Sequence, residues 1–226
     1  MSGTMIEFKG NGENYSGYLS PSAKGQGPGV IVIQEYWGLV GHIKSVADRF
    51  AAAGYTALAP DFYHGKTTKE PDEAGSLMMQ LQIPEATKVI NGAIEALLAH
   101  PATTGEKVAV VGFCMGGQLS FFAATINPNI GACVSYYGIH PGIRPKIKEL
   151  KAPFMGFFGE FDEFVTPTMV STLHLDLSEA GKPFRIHEYP GRRHAFFNDE
   201  RPEVYDKEAA DDSWAKMISF FHNTIG

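Results

Sequence analysis

Four stretches of this chain, 30–33, 107–111, 132–137 and 153–158, are apolar almost without interruption, and helical spacings fill much of the sequence between them. Unbroken apolar runs of four to six residues are what strands covered on both faces require. Ile43, Val46, Ala47, Phe50 and Ala53 recur at the helical period, and Gly54 closes that helix. Val89, Ile90, Ala93, Ile94, Leu97 and Leu98 form a second apolar face of the same kind. Residues 4–9 and 13–20 predict two strands joined around Asn11-Gly12, a dipeptide suited to a tight hairpin. Gly25 to Gly29 reads as a flexible lead-in. Residues 55–60 and 184–189 complete the strand set.

Other helices are expected where the chemistry of the ends allows. Gln118 to Ala124 forms one, and Thr166-Pro167 opens another with threonine as cap and proline in the first turn. Pro202-Glu203 is expected to start the last, burying Ala210, Trp214, Met217, Ile218 and Phe221. Within 61–83 only Leu77 to Leu81 suggests a helical piece, broken near Pro84. Strands alternating with helices predict an α/β architecture: a mostly parallel sheet of about eight strands, an N-terminal antiparallel hairpin, and helices on both faces. No repeat or linker interrupts residues 1–226, so one domain is expected.

Composition narrows the function classes. The 19 basic and 25 acidic residues leave a net charge of −6, without the basic footprint of a nucleic-acid binder. No apolar run reaches membrane-spanning length and the first residues lack a signal-peptide core, so a soluble cytoplasmic protein is expected. Two cysteines do not make a disulfide framework. A monomer or weak homodimer acting on a small molecule fits this picture.

The candidate chemistry starts at Gly112-Phe113-Cys114-Met115-Gly116-Gly117, between a strand and a helix. A turn this tight strains its central residue, and the flanking glycines leave room for the chain to double back. The thiol of Cys114 then stands over a helix N-terminus, whose unpaired N–H groups and dipole favour thiolate. The Met115 N–H is placed to donate to a substrate oxyanion. In open α/β sheets functional groups gather beyond the C-terminal ends of strands. That rule singles out Glu35, Cys114, Asp162 and His194, and the order Cys114, Asp162, His194 is that of a nucleophile–acid–histidine triad. Glu160 and Glu163 compete with Asp162 for the acid's place. His194 would pair with the thiolate and protonate the leaving oxygen, and Asp162 would fix its tautomer. Glu35 would exchange a proton with the thiol, and Tyr36 N–H would be the second oxyanion donor. Tyr36, Trp37, Phe62, Tyr63, Phe113, Tyr137, Phe196 and Phe197 are expected to form an aromatic mouth. A zinc site from His187 and His194 is not expected, because no carboxylate–histidine spacing supports it.

These pieces, with Gln34-Glu35-Tyr36-Trp37-Gly38, Ala59-Pro60-Asp61-Phe62-Tyr63, Tyr136-Tyr137-Gly138, Gly159 to Val165 and Gly191 to Phe196, resemble the dienelactone hydrolase family of the α/β-hydrolase fold. The resemblance implies a Cys114–His194–Asp162 triad, Glu35 as the partner-exchanging carboxylate, and cofactor-free, metal-free hydrolysis of an ester or lactone. Family members acting on dienelactone hold its carboxylate with arginines, one of them four residues past the histidine. Here that position is Asn198, and residues 61–91 contain no arginine. Arg192, Arg193, Lys66 or Lys69 would have to substitute. Two other readings remain open at this level: a non-catalytic ligand-binding relative, and a redox sensor using Cys114.

Overall fold

The computed structural model describes residues 2–226. An eight-stranded sheet holds β1 (Thr4–Gly10), β2 (Glu13–Ser20), β3 (Gly27–Ile33), β4 (Thr56–Pro60), β5 (Thr103–Phe113), β6 (Ile130–Tyr136), β7 (Phe154–Gly159) and β8 (Phe184–Tyr189). Their order is β1-β2-β4-β3-β5-β6-β7-β8. β1 pairs antiparallel with β2 and β2 antiparallel with β4, while every other pairing is parallel. Six helices join them: α1 (Gly41–Ala53), α2 (Pro71–Gln80), α3 (Ile83–Ala99), α4 (Met115–Ile126), α5 (Pro167–Glu179) and α6 (Lys207–Ile225).

The unbroken apolar strands follow from the two layers. Val30 and Val32 enter the core beneath α1 and α6, with Ile43, Phe50, Met217 and Phe221. Ile31 and Ile33 point the other way, into the core beneath α3 and α4, with Val89, Ile94 and Leu119. Each strand residue thus meets a helix whichever way its side chain alternates. No helix among the described residues is long and apolar enough to cross a membrane.

Three local expectations change. The glycines before Val30 are not a flexible lead-in: β3 begins at Gly27, whose N–H donates to Ala102 O at 3.0 Å, and a strand ladder needs no side chains. The helical piece before Pro84 is a full helix, α2, and Pro84 lies in the first turn of α3, where its missing N–H costs nothing. The last helix begins at Lys207 rather than at Pro202, because the Asp206 carboxylate caps it by accepting from Ala209 N at 2.9 Å. Thr166 caps α5 as expected, accepting from Met169 N.

Candidate active site

β5 runs straight into α4, and Cys114 is the single residue between them, at φ 53° and ψ −119°. A non-glycine residue held there costs on the order of 1–3 kcal/mol, so the surroundings must enforce it. They do so through the backbone. Cys114 N donates to Tyr136 O at 3.0 Å, and Cys114 O accepts from Gly117 N at 2.9 Å and Ile139 N at 3.1 Å. The flanking glycines allow the approach: a Cβ on Gly112 would lie 1.9 Å from Gly116 O. One on Gly116 would lie 2.4 Å from the carbonyl oxygens of Ile33 and Gln34. That second contact seats the end of β3, and with it Glu35 and Tyr36, against the start of α4. Tyr137 at φ 39° and Ala195 at φ 64° add two further strained residues beside the elbow and His194.

The strand-end rule brings the expected groups together. His194 Nδ1 lies 2.7 Å from Asp162 Oδ2, with the Asp162 side chain fully buried. Its acidic neighbour Glu160 is turned away, accepting from Gly191 N at 2.8 Å. The other oxygen of Asp162 accepts from Phe164 N at 2.8 Å and Val165 N at 2.9 Å, so its carboxylate is fixed from both sides. Burial opposes a charge on His194, but the Cys114 sulfur and the Asp162 carboxylate outweigh it and push its pKa up to about 10. Cys114 is 8% exposed, more enclosed than a thiol standing free above the sheet.

Glu35 is buried rather than solvated. Its Oε2 accepts from Asn198 Nδ2 at 2.6 Å, and its Oε1 has no partner among the described residues. The Met115 N–H is the first of α4 and has no carbonyl one turn back to bond. The Tyr36 N–H likewise makes no loop hydrogen bond among the described residues. Cys133 is inert core: burial raises its thiol pKa strongly, and its Sγ faces Ser120 O at 3.4 Å.

The expected aromatic mouth is mostly core. Phe113 stacks on Tyr136 and Phe197, with ring centres 4.8 and 5.2 Å apart, and has no exposed surface. Phe196 and Tyr137 are equally enclosed, and Phe62, Tyr63 and Phe197 are buried too. Phe113, Tyr137, Phe196 and Phe197 belong to the core beneath α1 and α6, and Phe62 and Tyr63 to the core beneath α3 and α4. Tyr36 and Trp37 stay partly open, ring against ring at 4.3 Å. Trp37 and Asn198 border a cavity of about 1070 Å³ that also takes in Lys44, Lys69 and Arg201. Lys69 shares that cavity, whose lining does not include Cys114 or His194, whereas Arg192 is turned to Asp206, 3.1 Å away. Asn198 is held within the chain, one N–H of Nδ2 donating to Glu35 and Oδ1 accepting from Glu200 N at 3.0 Å. Phe164, outside the expected set, is 61% exposed with its ring 5.0 Å from the His194 ring, opposite in character to the buried Tyr137 at 4.8 Å. Its place inside the Gly159–Val165 motif was the available signal.

The chain is similar to known proteins along nearly its whole length. A model of the dienelactone hydrolase family matches residues 15–225. The chain is 37% identical over 226 residues to "Protein usf" of Aquifex pyrophilus, covering 97% of each. It is 33% identical to the "Putative carboxymethylenebutenolidase" of Aquifex aeolicus, again over 97% of each. Its fold matches that of a dienelactone hydrolase-like promiscuous phosphotriesterase from metagenomic libraries with a TM-score of 0.87, at 22% identity and full coverage of both chains.

Proposed function

We propose, for a chain that belongs to the dienelactone hydrolase family and is a hydrolase of carboxylic esters and lactones, that Cys114 carries the acyl group between two half-reactions. The observation that supports this most directly is the Asp162–His194 contact at 2.7 Å beside a cysteine held at a strained strand–helix elbow. In the first half-reaction the Cys114 thiolate adds to the carbonyl carbon. The negative charge moves to the carbonyl oxygen, where Met115 N–H and Tyr36 N–H would receive it. Collapse breaks the carbon–oxygen bond, and the imidazolium of His194 gives its proton to the departing oxygen. In the second, water adds to the thioester, His194 takes the proton, and the thiolate leaves with release of the acid. Asp162 holds the imidazole in the tautomer both steps need.

The thiolate itself selects substrates. From the first tetrahedral intermediate, an alkylthiolate departs more readily than an ordinary alkoxide, so simple alkyl esters revert. Enol and phenyl esters and unsaturated lactones leave as stabilised anions and go forward. Turnover of vinyl, phenyl and ethyl esters of one acid tests this. The first two should be hydrolysed at least a hundredfold faster than the third beyond their difference in alkaline hydrolysis, and equal ratios would contradict the thiolate mechanism. Cys114→Ala should abolish turnover. Cys114→Ser should be badly impaired, because His194 must then deprotonate a much weaker acid.

A further inference from the structure

Three consecutive residues just beyond His194 meet the segment that follows β3. Asn198 donates to Glu35 Oε2 at 2.6 Å. Asp199 Oδ1 lies 2.8 Å from Nδ1 of the buried His42. Glu200 packs so closely on Gly41 that a Cβ there would lie 2.6 Å from its Oε1. Asn198 is itself fixed: its backbone N–H donates to Ala195 O at 2.9 Å, and its Oδ1 accepts from Glu200 N at 3.0 Å. With Oδ1 occupied, the amide presents only Nδ2 to Glu35. That bond is the carboxylate's one hydrogen bond among the described residues, and Glu35 Oε1 is left without a partner there.

The geometry points to Asn198 as a positioning residue that registers the Glu35 carboxylate to the His194 loop and leaves Oε1 as the oxygen free to take a proton, with the Asp199–His42 contact steadying the same two segments. The inference rests on the reading that Cys114 is acylated as a thiolate and that Glu35 carries the thiol proton on its way to His194 before it is. A buried carboxylate with a single donor is otherwise free to rotate, and misplacement by about 1 Å is enough to cost a hundredfold in rate. A neutral amide suits the task because it holds the carboxylate without neutralising it. Since Glu35 acts before acylation, loss of Asn198 should slow the first half-reaction and spare the second.

Pre-steady-state hydrolysis of p-nitrophenyl acetate separates the two. Asn198→Ala should lower the rate of the p-nitrophenolate burst by about ten- to a hundredfold, the range of a hydrogen bond to a charged group. Decay of the isolated acyl-enzyme should stay within about twofold of the parent. Asn198→Asp keeps the shape but sets two carboxylates together, so its burst should be at least as slow at pH 8 and recover toward pH 6 as the pair shares a proton. Asp199→Ala, at a side chain that is 51% exposed, should slow the burst by a smaller factor. Bursts within twofold of the parent in both Asn198 variants would overturn the inference. So would equal losses in burst and decay, the mark of a purely architectural role. A parent enzyme with no acyl group on Cys114 would instead sink the mechanism beneath it.

Discussion

Asp162 reaches His194 with one oxygen only, Oδ2 lying 2.7 Å from Nδ1, because its other oxygen is held by the Phe164 and Val165 N–H groups. The carboxylate therefore cannot rotate away, and the imidazole it grips keeps its second nitrogen toward Cys114. Asp162→Asn should preserve the fold and lower kcat by about 10³–10⁴-fold, since the amide supports the wrong tautomer. Steady-state kinetics on a phenyl ester would check this, and a loss below tenfold would show that Asp162 does not orient the catalytic ring.

His194 should titrate far above an ordinary histidine. Its pKa is raised to about 10 by the Cys114 sulfur and Asp162 acting against burial. Its midpoint, followed by NMR of the ring protons, should fall in Cys114→Ala, where the sulfur is gone and Asp162 remains. A pKa raised on folding stabilises the native state fully below the unfolded value of about 6.5 and is lost as pH climbs through the folded one. The stability gap between the parent and His194→Gln should accordingly narrow between pH 6.5 and about 10, as read by urea unfolding. A midpoint near 6.5 in the parent would remove the ion pair from the account.

Tyr137 carries a buried hydroxyl with no partner among the described residues, on a residue already strained at φ 39°. Removing only that oxygen in Tyr137→Phe should leave packing intact and stabilise the protein by about 1 kcal/mol, a rise in Tm of about 2–4 °C. A clear drop in Tm would mean that the hydroxyl is hydrogen-bonded to an ordered water.

The parts of this molecule that local physics dictates are legible in its residues. Val30–Ile33 had to be covered on both faces, and Gly112 and Gly116 had to flank a sharp turn, because no other residue lets those backbones approach. Cys114, Asp162 and His194 were accessible because each sits just past a strand, where a parallel sheet opens. What stayed hidden depends on contacts between distant segments. Nothing in the spacing of Glu35 and Asn198, 163 positions apart, announces a hydrogen bond. His42 and Asp199 are equally silent. The burial of the aromatic residues is equally hidden. Phe113, Phe196 and Tyr137 adjoin the chemistry in sequence, yet side-chain direction turns them into the core, whereas Phe164 faces outward. The start of α6 was misplaced because proline marks a possible first turn, and the actual cap at Asp206 was decided by which side chain could reach a free N–H.

The central claim is that one sulfur atom takes the acyl group. Mass spectrometry of the parent and of Cys114→Ala, quenched in acid within the burst of p-nitrophenyl acetate hydrolysis, tests it directly. The account predicts one acetyl group per chain on the peptide bearing Cys114, absent from the variant. An acetyl group on another residue, or full turnover with Cys114 unmodified throughout, would contradict it.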